Sequence, residues 1–301
     1  MRALARAITL VERRDPSIRD LEEAVRNDTR SDTNPVGVTG FTGAPGTGKS
    51  TLVDAVVTLL RTREQSVAVL ATDPNSPFTG GAILGDRIRM QRHALDPKVF
   101  IRSMGARGHL GGLSLASREA IRLLGAFGFD QVVVETVGVG QSELEVAAVA
   151  DTTVVVLTPN LGDSVQMIKA GILEIADVFV VNKADIDGHG RVVAELRTML
   201  NMAPKASWKP PIIPTVATRQ EGVEQLWEAI LAHRSHLERT GKAKELSERR
   251  LRDETVEVAA ELARERTRRA LREDPALTER LLKEGTPYRT AEEILRTRTD
   301  N

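Results

Sequence analysis

The chain has 301 residues, enough for one large domain or one domain with appendages. Its 42 basic and 42 acidic side chains cancel and only 3% of residues are aromatic, so nothing global points to nucleic acid or an acidic membrane surface. With no cysteine there are no disulfides, no thiolate metal sites and no cysteine nucleophile.

The N-terminal "MRALARAITLVERRD" carries Glu12 and Asp15 and lacks a long apolar stretch or a small-residue cleavage site. It reads as an amphipathic helix rather than a signal peptide, and no apolar run reaches transmembrane length, so the cytoplasm is the expected compartment. Leu4, Ile8, Val11, Leu21 and Val25 continue the helical spacing to about residue 30. "SDTNPVG" is turn chemistry and marks a boundary, giving a helical extension over 1–34.

From 35 to 240 strands and helices alternate. The predicted strands are Val36 to Phe41, Val67 to Ala71, Val99 to Arg102, Gln131 to Glu135, Thr153 to Thr158, Val178 to Asn182 and Ile212 to Thr215. Several are unbroken apolar runs, as expected of strands buried on both faces of a parallel sheet. Helical patterns cover 50–62, 114–127, 189–202 and 221–239. This alternation predicts a three-layer, doubly wound α/β domain with its ligands at the carboxyl ends of the strands. Residues 241–301 differ: 29 of the 61 are charged, with both signs mixed and no strand pattern. Leu251, Val258 and Leu262 could line one face of a long helix, with Leu271, Leu277, Leu281 and Leu282 following across Pro275. So sparse an apolar stripe suits an arm that packs on another surface, here a homodimer partner, better than a self-sufficient core.

The first strand runs into Gly43-Ala44-Pro45-Gly46-Thr47-Gly48-Lys49-Ser50, followed by Thr51 and a helical pattern. The spacing is G-x-x-x-x-G-K-S in the strand-to-helix context that a phosphate loop requires. Its glycines let successive backbone N–H groups face one concavity, and the helix N-terminus adds partial positive charge. Lys49 is expected to reach the β- and γ-phosphates and Ser50 to place its hydroxyl on Mg²⁺. Asn182-Lys183-Ala184-Asp185 ends another apolar strand. A carboxylate such as Asp185 can accept from both the ring N1–H and the exocyclic amine of guanine, a pair of donors that adenine lacks on that edge. Lys183 can lay its stem along the base and Asn182 can brace the loops. Backbone N–H groups of Ala217, Thr218 and Arg219, after the last strand, are candidates to contact the guanine oxygen.

Between these lies "VVVETVGVG". Glu135 ends a strand where most GTPases carry aspartate, in the pattern D-x-x-G. A carboxylate there holds a Mg²⁺-bound water or orients the attacking water, and Gly138 lets the backbone approach the γ-phosphate. His93, His109, His189, His233 and His236 form no metal-ligand cluster with carboxylates, and each reads as a surface or core residue. Gln141 lies too far past Gly138 to position the attacking water.

The motifs "GAPGTGKST", "DPNSPFTGGAILGDRIRM", "RSMGARGHLGGLS", "ETVGVGQSE", "LTPNLGDSVQMIKAGI" and "NKAD", in this order, resemble the MeaB/ArgK family of P-loop GTPases. The N-terminal "RALARAITLVE" and the helical tail extend the likeness over nearly the whole chain. The family's switch takes the form E-x-x-G, which accounts for Glu135. The resemblance implies a GTP/GDP-binding chaperone of adenosylcobalamin-dependent methylmalonyl-CoA mutase that gates cofactor loading and protects or reactivates the mutase. It further implies that Asp73 and Asp86 lie near Mg²⁺ and the γ-phosphate. It places a third switch at Gly162, Asp163, Gln166 and Lys169, which passes the nucleotide state to the mutase, while Arg107 could face phosphate or partner. Neither nucleic acid nor a membrane is expected as a partner. Two alternatives stand beside this reading: a kinase of arginine/ornithine transport proteins, and a GTP-dependent metallocentre-assembly chaperone. N-K-x-D argues against the first, and the absence of cysteine argues against the second.

Overall fold

A computed structural model describes residues 1–13, 15, 17–26, 36–73, 90–105, 114–136, 142–159, 173–202 and 207–296. Seven strands form one sheet: β1 Gly37–Thr42, β2 Val67–Asp73, β3 Val99–Gly105, β4 Gln131–Thr136, β5 Thr152–Leu157, β6 Val178–Asn182 and β7 Ile212–Thr215. Their order is β3-β2-β4-β1-β5-β6-β7, and every pairing is parallel. Helices α1 Arg2–Arg13, α2 Ile18–Arg26, α3 Lys49–Thr62, α4 Ser114–Ala126, α5 Ser142–Val149, α6 His189–Met202 and α7 Val223–Arg239 accompany the sheet.

The unbroken apolar runs are explained by the alternation of strand side chains between two covered faces. Val133, Val154, Val156, Val178 and Val180 point to one face, where α3 supplies Leu52, Val53, Val56 and Leu60 and α7 supplies Leu226, Trp227 and Ile230. Val132 and Val134 point the other way, onto Leu4 and Ile8 of α1, Leu124 of α4 and Val146 of α5. Val155, Leu157, Phe179 and Val181 meet Val192, Val193 and Leu196 of α6. Truncating a fully buried side chain such as Leu52 to Ala would cost about 2–5 kcal/mol. Gly40 is required by close packing, because a Cβ there would lie 2.4 Å from Val146 Cγ2.

The strands run close to their predicted limits, and β6 and β7 coincide with them. Helix α5 was not anticipated, because its eight residues "SELEVAAV" are too few to display a helical period against the apolar strand that follows. The N-terminal helices share the sheet's core: Leu4, Ile8 and Val11 are buried in it.

The chain divides into two compact units, Met1–Glu245 and Leu246–Asn301. The 32-residue helix α8, Lys242–Glu273, leads into the second. There α9, Pro275–Glu284, starts on an Asp274 side chain that accepts from Leu277 N at 3.0 Å, with Pro275 in the first turn, where its missing N–H costs nothing. Helix α10, Pro287–Arg296, buries Thr290 and Ile294, and Arg280 of α9 pairs with its Glu293.

Candidate functional site

Strand β1 lies between β4 and β5, and the chain leaves its two sides in opposite directions. The carboxyl ends of β1 and β4 therefore flank a crevice of the kind that receives ligands in open α/β sheets. The glycine loop 43–48 hangs over it and leads directly into α3. Gly43 has φ 141°, and a Cβ there would lie 2.2 Å from the carbonyl oxygen of Val156. Gly48 has φ 84°, and a Cβ there would lie 2.6 Å from Asn182 Nδ2. At both positions the backbone conformation and the close approach admit glycine alone.

Lys49 is 6% exposed, and its ammonium donates to the carbonyls of Gly43 at 2.7 Å and Ala44 at 3.0 Å. A buried cation resting on neutral carbonyls can exchange them for anionic oxygens, which are stronger acceptors. Thr47 Oγ1 also donates to Ala44 O, at 2.9 Å. Pro45 and Gly46 form the exposed tip of the loop, and Thr51 lies half-buried in the first turn of α3.

Ser50 Oγ donates to Glu135 Oε1 at 2.6 Å, joining the start of α3 to the end of β4. Both side chains are buried, at 6% and 3% exposure. This hydroxyl–carboxylate pair offers hard oxygen donors only, the chemistry that suits magnesium. Among the described residues no group of three or more His, Asp or Glu could hold a metal ion. Next to Glu135, Thr136 Oγ1 donates to Thr42 Oγ1 at 3.1 Å, tying β4 to β1 immediately before the glycine loop. The sequence reading missed this pair; its only signal is a threonine at each strand end beside a motif.

The base-side residues converge on the same loop. Asn182 is 2% exposed; its Nδ2 donates to Thr47 O at 2.9 Å, and its Oδ1 accepts from Thr215 Oγ1 at 3.1 Å and Ala217 N at 3.3 Å. It thus braces three loops through one amide. Lys183, held at φ 56°, donates to Gly46 O at 2.8 Å, so its stem crosses toward the glycine loop. Ala184 N donates to Thr215 O at 3.0 Å and fixes the turn that presents Asp185 at the surface. Of the three amides named after β7, Ala217 N serves Asn182 and Arg219 N donates to Val216 O at 2.9 Å. Thr218 lies exposed between them.

Asp73 ends β2 opposite Gly105 of β3. Asp86, Arg107, Gly138, Gly162, Asp163, Gln166 and Lys169 lie outside the described residues.

The chain matches the family model described as methylmalonyl Co-A mutase-associated GTPase MeaB over residues 4–276. A Pyrococcus horikoshii protein named as a GTPase is 46% identical over 299 residues, covering 98% of this chain and 93% of that one. GTPase ArgK of Escherichia coli is 40% identical over 249 residues, covering 81% and 75%. The crystal structure of an LAO/AO transport system kinase superposes with a TM-score of 0.67 at 30% identity, covering 98% of this chain and 93% of that one. With likeness running almost end to end, this chain belongs to the MeaB family and is a GTP-binding, GTP-hydrolysing enzyme of the P-loop fold.

Proposed function

We propose that this GTPase is a magnesium-dependent switch that chaperones an adenosylcobalamin-dependent methylmalonyl-CoA mutase, gating cofactor loading and protecting or reactivating the mutase. The observation that carries the switch is the buried 2.6 Å hydrogen bond between Ser50 and Glu135. It couples the phosphate-side helix to the strand that leads into the E-x-x-G segment. The choice of client rests on the family's description as mutase-associated.

In this reading the backbone of residues 43–51 cradles the phosphates, and Lys49 leaves the loop carbonyls for the β- and γ-phosphates. Magnesium, when bound, supplies charge neutralisation on the phosphates, held by Ser50 and Glu135, with Asp73 and Asp86 acting partly through water. Glu135 holds a magnesium-bound water or orients the attacking water, and Gly138 lets the backbone come close. Asp185 reads guanine, Lys183 covers the base and Asn182 keeps their loop against the phosphates. The turn of Ala217, Thr218 and Arg219 lies along the base's oxygen edge, and the amides of Ala217 and Arg219 would reach that oxygen by exchanging their bonds to Asn182 and Val216. Gly162, Asp163, Gln166 and Lys169 pass the nucleotide state to the mutase. That transfer requires the mutase to bind the GTP and GDP forms with different affinity.

The protein works as a homodimer in the cytoplasm. In support of the dimer, Leu251 and Leu262 of α8 are exposed on a helix with little core of its own. No described helix is long and apolar enough to cross a membrane.

The test is phosphate release from GTP and from ATP, with and without purified methylmalonyl-CoA mutase from the same organism. GTP-selective hydrolysis that rises with mutase is expected. Hydrolysis indifferent to mutase overturns the choice of client, and transfer of labelled γ-phosphate to a protein overturns the switch in favour of a kinase.

A further inference from the structure

The loop after β7 is closed on itself. Val216 N donates to Glu221 O at 3.0 Å, Arg219 N donates to Val216 O at 2.9 Å, and Gln220 turns the chain at φ 60°. This roots the Arg219 side chain beside two carboxylates on different loops. Its Nε lies 3.0 Å from Glu221 Oε1, and its Nη2 lies 3.6 Å from Asp185 Oδ2. Among the described residues no other side chain pairs with Asp185.

From this geometry we infer that the Arg219 guanidinium is a positioning residue for base selection, holding the Asp185 carboxylate in the orientation that accepts from two guanine donors at once. The inference rests on the guanine-reading role proposed for Asp185 and adds a side chain to it, distinct from the backbone amide of Arg219. A carboxylate on an exposed turn is otherwise free to rotate. Rotation preserves one hydrogen bond to a base but spoils the second, which needs both oxygens in the plane of the base. The planar guanidinium suits the task, because Nε lies 3.0 Å from Glu221 while Nη2 stands at ion-pair distance, 3.6 Å, from Asp185 and draws its carboxylate to one side. Glu221 is therefore the anchor and Asp185 the group that is aimed. All three side chains are about half exposed, so the bridge adds little to fold stability, and its loss can be read in solution without unfolding.

Steady-state hydrolysis of GTP and ITP separates the possibilities, because ITP keeps the ring N1–H and lacks the exocyclic amine. For Arg219→Ala we expect KM for GTP to rise three- to tenfold, KM for ITP to rise less, and kcat to move less than KM. Arg219→Lys should recover only part of the loss, since an ammonium cannot fork to both carboxylates. Equal changes for the two nucleotides, or none, overturn the positioning role. Asp185→Asn provides the separate check on the underlying reading. A gain of XTP use by that variant supports Asp185 as the base reader. No such gain removes the base-site reading, and the role of Arg219 falls with it.

Discussion

The cations at the two ends of the sheet meet different partners. At the carboxyl ends, Lys49 and Lys183 rest on backbone carbonyls of the glycine loop. At the amino ends, α7 lays side chains across three strands and the residue before a fourth, and the partners are other side chains. Arg234 donates to Gln131 Oε1 of β4 at 2.7 Å and to Thr39 Oγ1 of β1 at 2.8 Å, with its guanidinium 5.6 Å from the centroid of the Trp227 ring. His233 Nδ1 lies 3.0 Å from Thr152 Oγ1 of β5, and its Nε2 lies 3.2 Å from Oδ1 of Asp177, which precedes β6. The proton assigned to Nε2 satisfies both neighbours with a neutral imidazole. Trp208 packs on His233 and His236 with ring centroids 5.0 and 5.3 Å away. A cation on carbonyls can be recruited by a better acceptor. A cation locked between side chains of separate strands holds them in register. The difference separates a working end from a fastening end.

Three measurements can break that division. The largest effect is expected at the working end. Lys49→Ala should lower GTP hydrolysis at least about a hundredfold, as loss of a transition-state charge donor does, while the denaturant midpoint stays near wild type. Wild-type-like hydrolysis by this variant would remove the phosphate site. At the fastening end, Arg234→Met should destabilise the protein by about 2–4 kcal/mol, because the buried Thr39 and Gln131 lose their donor. Hydrolysis per folded molecule should persist, and a selective loss of turnover at unchanged stability would erase the contrast.

The smallest effect is a slope. Burial, followed by the neighbouring charge of His236, pushes the pKa of His233 down from 6.5 to about 4; Asp151 opposes the shift, and Arg234 and Lys242 add to it. The folded state therefore keeps this imidazole neutral where the unfolded chain takes up a proton. Stability falls as pH drops from about 6.5 to about 4, by up to about 3 kcal/mol. Urea unfolding across that window should show the fall in wild type and a flatter profile in His233→Gln. Identical slopes would show that the fastening end does not need a neutral histidine.

What the sequence made legible follows from the range of each interaction. Val178–Asn182 and Ile212–Thr215 were readable because a buried strand between turn residues is a local signal. The glycine loop and N-K-x-D were readable because their spacing is chemistry in itself. Glu135 could be placed from the strand before it, but its partner Ser50 is 85 residues away, and only the folded sheet brings the two together. The fastening end was opaque for the same reason. Arg234 meets Gln131 and Thr39 across 103 and 195 residues, and nothing near Arg234 announces either contact. His233 and His236 were read as surface or core, and both are buried in the core. Arg219 was singled out for its amide, whereas its side chain makes the contact with Asp185.

Strand β7 forms one border of the sheet, and proline occupies positions 210, 211 and 214 in and before its four residues. Pro214 removes a backbone donor that an incoming strand would need, whereas the backbone of Pro211 faces β6, its carbonyl accepting from Phe179 N at 2.9 Å. This border resists strand addition: a foreign β-segment seeking to lengthen the sheet there would find an N–H missing in the middle of a four-residue strand. The enzyme is thereby guarded along β7 against the ribbon-to-ribbon aggregation to which open parallel sheets are exposed.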